Sequence, residues 1–279
     1  NLKKKKMTKR QTVNSWVWDG TAPGIHLPKL SLGKTFIDDA LLARLTTAGV
    51  IRVPTDVATL ELSIVYWTLA AGLIKKIHVE EGNHYITGEY LRIGHDFGEQ
   101  LTIEGMGACV TMVDGGLRCM GKSTKVTLKN ISITSRKASS KQISRHCLLV
   151  DSGAQVRADR CAFVNGGGSG VCAQGTRVEL KNCISNGNKY NGLFAVQSGV
   201  IILSETFEAI NNGNGNGTCT SRGCQMIASG TKSMITGVSE LGQNIHVVGN
   251  IVVEFDRCLG RNKSFVAPHT KEKFGGKVV

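Results

Sequence analysis

A short phrase of apolar and polar positions recurs through the second half of the chain. It reads apolar, polar, apolar, two polar, apolar. Clear copies are Val126-Thr127-Leu128-Lys129-Asn130-Ile131, Val156-Arg157-Ala158-Asp159-Arg160-Cys161, Val178-Glu179-Leu180-Lys181-Asn182-Cys183 and Val253-Glu254-Phe255-Asp256-Arg257-Cys258. Weaker copies fall at Ile201-Ile202-Leu203, where the register can slip by one, and at Ser233-Met234-Ile235-Thr236-Gly237-Val238. A second apolar strand and a glycine or asparagine corner precede each copy. Examples are Leu148-Leu149-Val150 before Asp151-Ser152-Gly153, Val171-Cys172-Ala173 before Gln174-Gly175, and Leu193–Val196 before Gln197-Ser198-Gly199. Gln225–Ala228 before Ser229-Gly230 and Ile245–Val248 before Gly249-Asn250 continue the series. Polar glycine-rich loops follow, among them 165–168 and 211–217. Two or three short strands per period, with corners that need φ > 0, describe one coil of a solenoid whose apolar positions point inward. Parallel strands of successive coils then stack about 4.8 Å apart. A leucine-rich repeat needs a leucine ladder and a helical return, and the phrase supplies neither.

The first half predicts the start of this solenoid. Ile51-Arg52-Val53-Pro54 reads as a strand and Asp56–Ala71 as a helix closed by Gly72, with further strand phrases at Ile77–Tyr85 and Leu101–Gly105. Before them, Phe36–Leu45 is amphipathic with Ile37, Leu41, Leu42 and Leu45 on one face, and Trp16 and Trp18 lie nearby. This segment reads as a cap over the open end of the coil or as a docking element. On these phrases, residues from about 50 to 258 resemble the right-handed parallel β-helix superfamily of pectate-lyase-like folds, with repeats of the carbohydrate-binding protein and sugar hydrolase type. The resemblance implies an all-β chain: a single-stranded right-handed parallel β-helix with an N-terminal helical cap segment. The expected organisation is a basic tail and cap over 1–48, the β-helix over 49–260 and a basic tail over 261–279. A shared fold leaves the function open.

Thirty-four glycines against four prolines and 5% aromatics suit many tight turns around a thin core. The formal charge of +13 points to a polyanion binder until the charges are located. Residues 1–10 carry +6 and residues 261–279 carry +4, which leaves the body near neutral. Such tails are solvated arms, docking arms for an acidic partner, RNA or membrane surface, or a nuclear signal. Nine cysteines cannot all pair within one chain, and their spacing is unlike a small secreted scaffold. Unpaired thiols favour the cytosol, an intracellular assembly or a virion, with secretion left open. Three glycosylation triplets begin at Asn130, Asn216 and Asn262. No apolar run reaches eighteen residues, so no transmembrane helix is expected.

A lyase of the pectate-lyase kind would gather carboxylates for Ca²⁺ and a positioned Arg or Lys base on neighbouring rungs. The first outward column reads Thr127, Arg157, Glu179, Ile202, Met234 and Glu254; the next reads Lys129, Asp159, Lys181, Ser204, Thr236 and Asp256. Their alternating signs suit a ladder of surface ion pairs. Arg157 with Glu179 is the most enzyme-like pair, with Asp159 adjacent and Asp151 and His146 as further candidates. His78, His84 and His95 lack metal-ligand spacing and read as surface or packing residues. Cys161, Cys183 and Cys258 share one inward position with Ile131 and Val238, where they act as small hydrophobes. Cys219 and Cys224 flank Thr220–Gly223 beyond an Asn-Gly stretch that reads as a flexible loop, and they are a local disulfide, a metal site or two thiols.

The expected function is a noncatalytic scaffold or binding module, contacting protein partners in a larger assembly through solenoid faces and basic tails, with no cofactor. The alternative is a carbohydrate-active protein, a polysaccharide lyase, epimerase or glycan binder, acting on acidic polysaccharide with Arg157, Glu179 and Asp159 as its site and Ca²⁺ for the lyase. The charge distribution makes a first prediction. Removing 1–10 and 261–279 leaves the solenoid folded and weakens association with an acidic partner; titrations across a salt series check it, and an unchanged slope places the contact on the solenoid.

Overall fold

The computed structural model describes residues 15–18, 35–87, 90–94, 100–109, 111–135, 145–210, 212–213, 215–219, 225–235, 245–247, 252–255 and 277–278. The charged cluster at 1–10, His95, Thr236, Val238, Asp256, Cys258 and the Cys224 end of the possible disulfide lie outside them.

The chain forms a right-handed parallel β-helix. Among the described residues its main sheet has 14 strands and its second sheet has 7, with parallel pairing throughout both. Each coil contributes one strand to the second sheet, turns a corner, and adds one to the main sheet. Lys125–Lys129 pairs with Gln155–Asp159, which pairs with residues 177–181 and then 200–204, all in register. Register explains burial. Leu101, Val126, Val156, Val178 and Ile201 lie in one inward column, and Ile103, Leu128, Ala158, Leu180 and Leu203 in the next, all buried.

A single left-handed residue follows the main-sheet segments 125–129, 155–159, 177–181 and 200–204. Asn130, Arg160 and Asn182 have φ of 54°, 53° and 53°, and Glu205 continues the series at 61°. This bend turns the chain into a third ladder, where Ser132, Ala162 and Ile184 pair across coils. Ile131, Cys161 and Cys183 follow the bend and point inward, and all three are buried. Asn is at home in this conformation and Arg160 is held there by its neighbours: its N–H donates to the Lys181 carbonyl at 3.0 Å.

Two boundaries shift from the sequence reading. The helix expected over Asp56–Ala71 spans Leu60–Leu69 (α2), because Asp56 is engaged in a turn, its carboxylate accepting from the Arg52 N–H at 2.8 Å, and Thr59 supplies the N-cap. The amphipathic stretch Phe36–Leu45 divides at Asp38. Thr35–Asp38 is a strand paired antiparallel with Ser15–Trp18, and Asp39–Ala48 is the helix (α1), capped by the Asp38 carboxylate and closed by Gly49 at φ 66°. α2 is apolar nearly all round and sinks Leu60, Ile64, Val65 and Trp67 into the end of the coil stack, where unpaired inward faces would otherwise meet water.

The coil after residue 210 also differs. Gln225–Ala228, read as the strand preceding a copy, lies in the main sheet: Met226 pairs with Ile201 and Ile227 with Ile202. Its preceding strand is Gly215–Cys219, from the Asn-Gly stretch taken as a flexible loop. The first outward column therefore passes through Ile227 in place of Met234, and Ser233-Met234-Ile235 continues the same strand into the third ladder. Backbone pairing to the coil below overrides the weak strand propensity of glycine and asparagine.

The cysteine column makes a second prediction. Cys183 is 1% exposed, and burial in apolar surroundings raises its thiol pKa. Cys183→Asp would place an unpaired charge between coils and cost about 3–5 kcal/mol, whereas Cys183→Val stays within about 1.5 kcal/mol. Urea denaturation of both variants checks the contrast.

Candidate functional site

The outward face of the main sheet carries most of the charge ladder. Glu179 sits between two arginines, its Oε2 2.8 Å from Arg157 Nε and its Oε1 2.9 Å from Arg177 Nε. Arg157 reaches it from the preceding rung, while Arg177 lies on the same strand at the column before the first apolar position. Asp159 accepts from Asn182 Nδ2 at 3.2 Å and lies 3.6 Å from Arg160. Lys181 bonds Glu205 at 3.0 Å, and this partner raises its pKa. Lys76 bonds Glu104 and holds that carboxyl below its ordinary range. These groups are substantially exposed, so solvent screening leaves each pair adding little to stability.

Between the rungs of Gln100, Lys125 and Gln155 lies a shallow depression of about 230 Å³. Thr127 and Arg157 complete its polar rim over Val126. Gln100 Nε2 donates to Thr127 Oγ1 at 2.5 Å, and Glu179 anchors Arg157 from the far side.

Asp151 and His146 stand apart from this face, on the second sheet. Asp151 is 4% exposed and bonds Arg118 Nε at 2.7 Å, which accounts for its burial. His146 stacks against Phe194 with ring centroids 6.3 Å apart, and its Nδ1 accepts the Ser169 N–H at 3.0 Å. That bond requires the tautomer protonated on Nε2. Its backbone N–H donates to the Tyr90 hydroxyl at 2.8 Å, and burial pushes the Tyr90 pKa up to about 12. The structure thus brings Arg157, Glu179 and Asp159 onto one face and separates them from Asp151 and His146. Among the other histidines, His84 Nε2 lies 2.9 Å from the Glu80 carbonyl, a packing contact.

A buried polar corner escaped the sequence reading. Asn188 and Asn212 are each 2% exposed. Asn188 Oδ1 accepts the Gly166 N–H at 2.9 Å, and its Nδ2 lies 2.9 Å from Asn212 Oδ1 and 3.1 Å from the Phe163 carbonyl. Asn212 Nδ2 in turn donates to the Ser185 carbonyl at 3.1 Å. Gly170 packs where a Cβ would collide with Ser185 Oγ, so the close approach of the chains requires glycine there. Arg177, Lys125, Gln100 and Gln155 were also missed as surface groups. Reading the position before the first apolar residue as a third column finds all four.

No family model matches the sequence, and no curated protein matches it. Among solved structures, the chain is similar to full-length tailspike protein 2 of Escherichia coli O157:H7 bacteriophage CAB120, with 15% identity and a TM-score of 0.40 over 64% of this chain. The match spans 25% of the tailspike chain. Among the described residues, no helix is long and apolar enough to cross a membrane.

His146 makes the third prediction. Burial lowers its pKa to about 4 from an ordinary value of 6.5. The unfolded chain binds that proton first, so the contribution is fully present above about pH 6.5 and is lost as the pH falls towards 4. His146→Gln should flatten the acid limb of a stability-versus-pH curve between these values, measured by urea denaturation.

Proposed function

We propose that the chain is a noncatalytic β-helix module that binds protein partners within a larger assembly. The observation that carries this reading is the engagement of Glu179 by Arg157 and Arg177 on the open face of the main sheet. A lyase base must be free to take a proton beside a sugar carboxylate, and a Ca²⁺ ligand must turn its oxygens towards the ion. Here both oxygens of Glu179 are turned to guanidinium groups of the same scaffold, and Arg157 spends its charge holding the ladder. Asp159 is likewise tied to Asn182 and Arg160.

The free thiols of Cys109, Cys119, Cys147, Cys161, Cys172 and Cys183 favour a reducing compartment or a virion as the site of assembly, and no cofactor is invoked. A pectate-lyase-like activity on acidic polysaccharide, with Ca²⁺, is the competing reading; the exposed cations and amides around the depression are what favour it.

Incubation with pectate, alginate and other acidic glycans, with and without Ca²⁺, separates the two. Lyase action creates an unsaturated sugar that absorbs in the ultraviolet. The expected trace is flat under all conditions, and absorbance growth that disappears in Arg157→Ala would overturn the scaffold reading.

A further inference from the structure

The main-sheet face is nearly compensated in charge except at one rung. Glu104 is bonded by Lys76, Glu179 by two arginines, and Lys181 by Glu205. The strand Lys125–Lys129 presents Lys125, Thr127 and Lys129 outward and contributes no acid. Among the described residues neither lysine forms an ion pair, although Glu104 and Asp159 flank Lys129 in register. The cationic rung coincides with the depression, where Gln100 and Gln155 offer amides on either side and Arg157 adds a fixed guanidinium.

We propose that this rung is a docking site for an extended acidic segment of a protein partner, with two carboxylates four residues apart meeting Lys125 and Lys129. This rests on the reading of the chain as a protein-binding module. The charge complementarity is carried by Lys125 beside Arg157, in a depression whose lining includes no acid, and by Lys129 at the far end of the same strand, whose charge acts on Glu104 without a direct ion pair among the described residues. Spacing favours peptide over glycan. Lys125 and Lys129 are separated by four residues of strand, about 13 Å, and an extended peptide laid along the strand has the same rise per residue. Thr127 lies between them, and Gln100 and Gln155 flank Lys125 on the neighbouring rungs, where their amides suit the carbonyl and N–H groups of such a backbone. Sugar rings, in contrast, gain much of their affinity by stacking on aromatic faces, and the six lining residues include no aromatic.

The test uses the full chain and a fluorescent peptide with two glutamates four positions apart, threonines between them, read by anisotropy at low salt. Expected is saturable binding that weakens at least tenfold in Lys125→Glu and in Lys129→Glu. It should weaken less than threefold in Arg92→Glu, which makes the same charge change on the exposed surface of the second sheet. Moving the glutamates to two positions apart should also weaken it. Circular dichroism confirms that the variants fold, and Lys125→Ala supplies a milder variant should either reversal not. Absence of binding, equal losses in Arg92→Glu, or indifference to spacing would overturn the site. Binding of oligogalacturonate that is stronger than the peptide's and is lost in the lysine variants would overturn it in favour of a glycan. The glycan-cleavage assay on the same preparations keeps the outcomes apart: a flat trace with no peptide binding rejects the docking site alone, whereas product formation rejects the scaffold reading itself.

Discussion

In-register parallel pairing between coils is the constraint from which the other features follow. When Val126, Val156, Val178 and Ile201 are stacked by backbone hydrogen bonds, each side chain has its equivalent directly above and below it, about 4.8 Å away. The inward positions of this column are therefore apolar in coil after coil, because a neighbour of the wrong polarity is met twice. Cys161 and Cys183 satisfy this as compactly as Ile131, and burial raises the pKa of the Cys183 thiol. The bend residue follows the same repetition: four successive coils turn at one left-handed residue in equivalent places, Asn130, Arg160, Asn182 and Glu205.

Stacking also decides where polarity is admitted. Corners leave backbone N–H and C=O groups without strand partners, and burial makes each of these expensive to leave unmet. Asn188 and Asn212 answer this by bonding to Gly166, Phe163 and Ser185 across coils. Their amides act as backbone surrogates, donating and accepting at once. The Asn-Gly stretch is accordingly part of the solenoid at Gly215–Cys219, and just before it Gly213 packs where a Cβ would collide with the Lys189 carbonyl.

What the sequence makes legible follows from this division. The strand phrase carries inward and outward alternation, so the solenoid, its register through Leu203 and the buried cysteine column can be read from the residues alone. Register fails at the coil containing Gly215–Cys219 because two neighbouring segments, Gln225–Ala228 and Ser233–Ile235, both have apolar alternation, and only pairing with Ile201 and Phe207 shows that they are one continuous strand. The helix boundaries are set by side-chain caps, Asp38 and Thr59, whose local bonds outrank the extent of the apolar pattern. The pairing of Arg157 with Glu179 is visible as adjacent rungs. The second arginine is hidden, since Arg177 belongs to a column outside the phrase. Asn188 is hidden more deeply, because nothing in a polar loop residue announces that it will be buried.

On the solenoid exterior, stacking concentrates like positions into columns, so any charge is repeated along the axis unless the sequence alternates its sign. Alternation converts self-repulsion into cross-rung pairs, as between Arg157 and Glu179 or Lys181 and Glu205. These exposed pairs add little stability, so their role is chiefly to quiet the field of the face. A rung that breaks the alternation then stands out: Lys125 has no acid opposite it on either neighbouring rung, and Lys129 acts on Glu104 only at a distance, so both can gain from a ligand. Recognition on such a surface requires no pocket, only a departure from compensation held at a fixed spacing by the rigid strand beneath it.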